Sequence, residues 1–356
     1  MNRCEKAKTV WQLMAVAGAC LLLGGSKAYS DTVAGTAPRL EEERKLTFSL
    51  DDSDSLADII SNVHKRVGEL VSKLAFPERA SCLASVDSSP VSFMFVDHYF
   101  DTKDFDLMRG KGAYRFRRRW SKSLSYVRNQ LYRRFNLFPP TRMEIQAKLG
   151  YERVGLRGLR VHETRFEFRK ESSPFSDGVK LPPADWAVTD YENVVTSGKY
   201  EAFKIYPFKM LEERGIDVTS LKRVMSIATE RTRFHLNCKH PFGSGPNPEQ
   251  MFIFTVDKST CLEGCDKDLE NTVELEIEKE RNTSTYLDMV SAFPKGGFFS
   301  NSLVADLAID YAIELKSAYR QDYDMLGAEI ERVLRERKIE VGPVMSKYQR
   351  FLKKSL

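Results

Sequence analysis

The segment TVELEIEK, residues 272–279, sets three glutamates on one side of a strand. Residues two apart on a strand share a face, so Glu274, Glu276 and Glu278 oppose Val273, Leu275 and Ile277. YRFRRRW does the same with the opposite charge. Arg115, Arg117 and Arg119 share one face, with Tyr114, Phe116, Arg118 and Trp120 on the other. Four more segments alternate in this way. Glu41, Glu43 and Lys45 align in LEEERKLTF, with Glu42 and Arg44 opposite. Glu144, Gln146 and Lys148 oppose Met143, Ile145 and Leu149. Glu163, Arg165, Glu167 and Arg169 oppose Phe166 and Phe168, and Arg231 aligns with Arg233. One such strand is simply an antiparallel strand with a solvated face. Six of them, with like charges sorted by strand, are not, because like charges side by side on open sheet repel. The pattern predicts an antiparallel barrel, closed or nearly so, with a charged lining and an apolar outside covered by helices. An arginine wall suits a polyanion, and a glutamate wall suits hard divalent cations. Structural salt bridges between the two walls are the other reading.

The rest of the chain narrows the class. Fifty-five basic and 50 acidic residues leave a net charge of +5 over 356 residues, which makes no case for a nucleic-acid partner on bulk charge. Residues 1–30 read as an export signal: Arg3, Lys6 and Lys8 precede an apolar run (Trp11 to Gly25), with small residues before Asp31. An uncleaved N-terminal membrane anchor is the alternative, although the run falls short of about 20 residues. The expected location is therefore exported, whether secreted, periplasmic or in a secretory lumen, or else membrane-anchored through this segment. Residues 31–39 read as a linker and 40–356 as one domain. Four cysteines lie beyond the leader: Cys82, Cys238, Cys261 and Cys265. They allow disulfides or free thiols, and no zinc pattern accompanies them. Leu56, Ile59, Ile60, Val63, Val67 and Leu70 have helical spacing after a capping Ser53 or Asp54. Further helices are expected within 186–224, closed by Gly215, and from Ser300 to Lys338, with Leu303, Leu307, Ile309 and Leu315 on its apolar face. Asn282 lies in a glycosylation sequon. His162 is expected to be structural.

The ordered set of charged strands resembles the CYTH superfamily, the triphosphate tunnel metalloenzymes. Glu41, Glu43 and Lys45 match the family's E-x-E-x-K first strand. Residues 96–120 resemble its YFDT turn and R-x-R strand. IQAKL supplies an inward lysine, ETRFEF an R-x-E strand, and ERTRF, Asp257 and VELEIE the later half. SKYQRFL resembles a C-terminal Ser-Lys-Tyr segment. The likeness covers roughly residues 40–352. It implies an α+β fold, a closed eight-stranded antiparallel barrel with helices packed outside.

The resemblance also implies a chemistry. Lys45, Arg115, Arg117, Lys148, Arg165, Arg231, Arg233 and Lys347 would hold phosphate oxygens, the arginines bidentately. The long stretch after Tyr319 leaves the reach of Lys347 open. Glu41, Glu43, Asp257, Glu274, Glu276 and Glu278 would ligate Mg2+ or Mn2+. Glu41, Glu43, Lys45 and Lys148 are the expected catalytic set. The expected activity is metal-dependent hydrolysis of inorganic triphosphate or short polyphosphate. The alternatives are a thiamine or nucleoside triphosphatase, an adenylate cyclase, and an exported polyphosphate- or organophosphate-binding protein without turnover. No Walker A loop and no G-x-S-x-G elbow is present. The expected partner is a triphosphate-type small molecule, with a homodimer left open and no nucleic acid.

Overall fold

The computed structural model describes residues 36–50, 55–120, 142–154, 157–168, 191–192, 205–239, 249–265, 272–279 and 303–352. The leader, the 121–141 stretch, Arg169 and Asn282 lie outside these residues. Eight antiparallel strands close into a ring in the order β7-β3-β4-β5-β6-β1-β9-β8, with β8 pairing back onto β7. They are β1 (Thr36–Ser49), β3 (Val91–Asp101), β4 (Ala113–Trp120), β5 (Arg142–Val154), β6 (Gly158–Phe168), β7 (Lys222–Lys239), β8 (Glu249–Glu263) and β9 (Thr272–Lys279). A ninth strand, β2 (Leu83–Val86), adds to the far end of β7. The expected barrel and its charged lining are therefore present. β1 starts at Thr36, within the 31–39 segment. Its register shifts between Thr36 and Arg39, around Pro38, which has no N–H to give to the ladder.

Alternation places the apolar faces outward, where helices cover them. On one side Leu46, Phe234, Phe252, Phe254, Leu275 and Ile277 pack beneath helices α1 (Leu56–Leu70) and α5 (Leu303–Glu336). Ile59, Val63, Val67 and Leu70 are the buried stripe of α1, as their spacing predicts. Its N-cap is Ser55, without a side-chain capping bond, rather than Ser53 or Asp54. Short α2 (Ala75–Ala80) is held to α5 by the Asp322 carboxylate, which accepts from Ala75 N and Phe76 N at 2.8 Å each. On the opposite side Phe116, Ile145, Ala147 and Phe166 pack with Tyr191 and with Phe208 and Leu211 of α4 (Tyr206–Glu212). The chain leaves α4 through Gly215 at φ 73°, as expected of a helix-ending glycine. In α5 Leu315 is buried, whereas the side chains of 303–309 lie outside the described residues. No described helix is long and apolar enough to cross a membrane.

One end of the barrel is closed. After α5 the chain runs back along the rim, where Gly342 N donates to Thr47 O at 2.6 Å and Arg157 Nη1 donates to Gly342 O at 2.6 Å. It then forms α6 (Lys347–Leu352). Tyr348, Phe351 and Leu352 pack against Tyr99, Ala113, Met225 and Ile227. Tyr348 stacks on Tyr99 at 5.2 Å, and its hydroxyl donates to Asp101 at 2.6 Å. Asp101 also accepts from Leu107 N and Met108 N at the start of α3 (Asp106–Arg109). Two disulfides, Cys82–Cys238 and Cys261–Cys265, join β2 to β7 and close a small loop after β8.

His98, on the outer face of β3, is 7% exposed, contacts Ser226 Oγ at 2.9 Å and stacks on Phe116. Burial first, then Arg118 and Arg223, push its pKa down to about 3, against a weaker pull from Asp97. The unfolded chain binds a proton there below about pH 6.5, and the folded chain refuses it until about pH 3. Folded stability therefore falls as the pH drops through that window. His98→Gln keeps a hydrogen-bonding group and removes the titration. Compared with wild type in urea melts, it should gain about 1 kcal/mol per pH unit below 6.5. Parallel stability–pH curves would mean that His98 is not held neutral.

Candidate active site and metal centre

The barrel encloses a cavity of about 690 Å3. Its wall is built of side chains two apart on each strand. Glu41, Lys45, Arg115, Arg117, Lys148, Arg165, Arg231, Arg233, Glu274, Glu276, Glu278 and Lys347 all line it. Glu43 and Asp257 are fully buried beside them. Every residue expected at the site is thus brought to one tunnel. Lys347 reaches it because α6 turns inward, and its Nζ lies 2.8 Å from Asp257 Oδ2 and 3.3 Å from Thr229 Oγ1. Exposed His162 takes no part in the lining.

The six expected carboxylate ligands fall into two groups. Glu41, Glu43 and Glu278 can converge on one ion, and Asp257, Glu274 and Glu276 on another. The second group is already occupied by cations of the chain. Arg231 grips Asp257 through Nε and Nη2 at 2.6 Å each and reaches Glu276 at 3.1 Å. Lys45 pairs with Glu276 and, at 3.3 Å, with Glu274. Arg350 pairs with Glu274, and Thr255 Oγ1 donates to Glu276 at 3.2 Å. Burial would raise the Glu276 pKa, but Lys45 and Arg231 reverse it and hold the carboxyl well below its usual range.

The first group is short of positive charge. Lys148 Nζ lies 2.5 Å from Glu41 Oε2, and Lys45 Nζ lies 3.1 Å from Glu43 Oε1. Yet Glu41 Oε2 and both Glu43 oxygens are buried without a hydrogen bond. Burial, then repulsion from Glu163, pushes the Glu41 pKa up to about 7, and burial with Glu276 raises Glu278. Three crowded carboxylates with unsatisfied oxygens fit a hard divalent cation, which would supply the charge that the lysines do not. Glu41, Glu43 and Glu278 would hold it.

Across the ring from β1 stands β3, flanked by the arginine strands β4 and β7. The inward face of β3 was not singled out as part of the site. Asp97, fully buried, accepts from Arg117 Nε at 2.6 Å and Nη2 at 2.8 Å, and from Arg115 Nη1 at 3.1 Å. Burial opposes its ionisation, but Arg115 and Arg117 hold it below the usual carboxylate range. Phe95 lies beside Asp97 on that face and carries Arg117 over its ring at 3.8 Å, with Arg231 at 5.3 Å and Lys347 at 5.4 Å. The ring spaces three like charges around one apolar surface. Glu163 is a second buried anchor, pairing with Arg39, with Gln146 and, at 2.6 Å, with Arg165. Alternation in FMFVDHYFD is the signal that could have exposed Asp97.

No family model matches the chain, and no curated protein does. Among solved structures, it is similar to an adenylyl cyclase-type protein of Hippeastrum described as having a dominant triphosphatase activity, at 13% identity over 68% of this chain and 80% of that one, with a TM-score of 0.33. An adenylate cyclase-type protein of Bacillus halodurans shares 15% identity over 88% and 98%, TM-score 0.34. The Pct1 RNA triphosphatase of S. pombe shares 10% over 92% and 92%, TM-score 0.31.

Proposed function

We propose that this barrel hydrolyses inorganic triphosphate or short polyphosphate with Mg2+ or Mn2+ at Glu41, Glu43 and Glu278. The observation that carries the reading is the pairing, in one cavity, of an arginine and lysine lining with three crowded carboxylates, of which Glu41 Oε2 and both Glu43 oxygens are buried without a hydrogen bond. Arg115 and Arg117 are oriented by Asp97, and Arg231 and Lys347 by Asp257. Their guanidinium and ammonium groups present donors to phosphate oxygens at fixed angles. A bound divalent ion supplies further neutralisation of the phosphate charge. In a hydrolysis at this site water is the attacking group. Among the described residues α6 covers one end of the cavity, with Lys347 and Tyr348 in its lining. The two disulfides support an oxidising compartment and so an exported protein.

The test is a panel of triphosphate, polyphosphate, ATP and thiamine triphosphate, with Mg2+, Mn2+ and chelator. Release of phosphate from triphosphate that stops on chelation is the expected result. Cyclic AMP as the main product would replace this reading with the cyclase. Tight binding without turnover under either metal would leave a binding protein.

A further inference from the structure

The two carboxylate groups differ in how their charge is met. Asp257, Glu274 and Glu276 each offer an oxygen within 4.8 Å of the others, as a shared ion would require. Against their three charges stand Arg231 and Lys347, both on Asp257, and Arg350 on Glu274. Lys45 is shared between the groups, 3.1 Å from Glu43 and 3.3 Å from Glu274. The first group has the same share of Lys45 and, besides it, Lys148. The second group is balanced and the first is not. Without Arg350 the second group would keep Arg231 and Lys347 for three carboxylates.

Of these cations Arg350 is set apart by its position. Arg231 and Lys347 line the cavity, and Arg350 does not, so its charge is not offered to a phosphate there. It is 6% exposed, and its Nε and Nη1 are buried without a hydrogen bond. Its Nη2 donates to Glu274. A buried guanidinium with so few partners is costly and is held in place by the surrounding fold. Here α6 holds it. Arg350 lies three residues after Lys347, on the same face of the helix, and Tyr348, Phe351 and Leu352 pack that helix against Tyr99 and Ile227. A hard divalent ion takes carboxylate oxygens as its ligands. In the second group those oxygens are turned to Arg350, Arg231 and the two lysines.

We infer that Arg350 is a built-in counter-ion that shuts Asp257, Glu274 and Glu276 to divalent metal, so that each chain takes one ion. This rests on the reading of Glu41, Glu43 and Glu278 as the metal site and adds the residue that fixes the metal count. Arg350 acts on the site through Glu274 and is a positioning residue rather than a catalytic one.

The experiment titrates Mn2+ by calorimetry into the full chain after chelator treatment, with free Mn2+ counted by electron paramagnetic resonance. Wild type should bind one ion and Arg350→Gln two. Arg350→Lys keeps the charge and should return the count to one. Arg350→Gln/Glu274→Gln removes a ligand of the opened group and should do the same. Two ions in wild type, one in Arg350→Gln, or two in the double variant would overturn the inference. If Arg350→Gln melts without cooperativity in chelator, Mn2+ should restore the transition, because the ion supplies the missing charge. Failure to restore it would also overturn the inference. A wild type that binds no ion would instead overturn the metal reading of Glu41, Glu43 and Glu278. Arg350 would then still be decided by whether Arg350→Gln gains an ion or not.

Discussion

Glu43→Gln is expected to lower metal-dependent triphosphate turnover by about a thousandfold, the factor that corresponds to several kcal/mol of charge stabilisation. Glu43 is 0% accessible, and both its oxygens lack a hydrogen bond, with only the ammonium of Lys45 at 3.1 Å and that of Lys148 at 3.6 Å beside them. An amide of the same shape removes one charge from the group it forms with Glu41 and Glu278. The fold should therefore survive, with circular dichroism and the thermal midpoint close to those of wild type. Calorimetry should show Mn2+ binding lost along with activity. Wild-type turnover in this variant would move the cation to Asp257, Glu274 and Glu276, where Lys45, Arg231, Lys347 and Arg350 now sit.

Arg117→Ala is expected to act on stability as well as on binding. Arg117 forms a bidentate pair with Asp97, which is fully buried. Removing one partner strands a buried carboxylate, a loss of about 3 kcal/mol when another cation remains nearby, and Arg115 does remain, at 3.1 Å. Urea unfolding should report that loss, and triphosphate affinity should fall with it. Adding Asp97→Asn should restore part of the stability and none of the affinity. If Arg117→Ala unfolds like wild type, the pair does not hold the wall in place.

The barrel was legible because like charges at spacing two have no stable place on an open sheet. Glu274, Glu276 and Glu278, read against Arg115, Arg117 and Arg119, forced a closed and polar interior. Their division into two carboxylate groups was not legible. It depends on which cations arrive from elsewhere, and Arg231, Arg350 and Lys347 come from β7 and α6. Asp97 was hidden for a related reason. Among Phe95, His98, Tyr99 and Phe100 it reads as a polar interruption in an apolar strand, and only the β3–β4 register sets it opposite Arg117. Lys347 could be matched to a motif, but its reach depends on the return segment that Arg157 and Thr47 pin to the rim. The leader and its fate rest on residues 1–30, outside those described.

The place of β1 in the ring has a consequence for how the molecule assembles. β1 is the first strand made, yet its neighbours are β6 and β9, and Lys45 pairs with Glu276 across more than two hundred intervening residues. Contacts of such sequence separation form slowly, since the loop between them must close first. The strand bearing Glu41 and Glu43 therefore waits for β9, and the barrel seals only when nearly the whole chain is available. A chain that ends before Thr272 leaves β1 and β8 with bare edges, and lacks Glu278 of the first carboxylate group and Glu274 and Glu276 of the second.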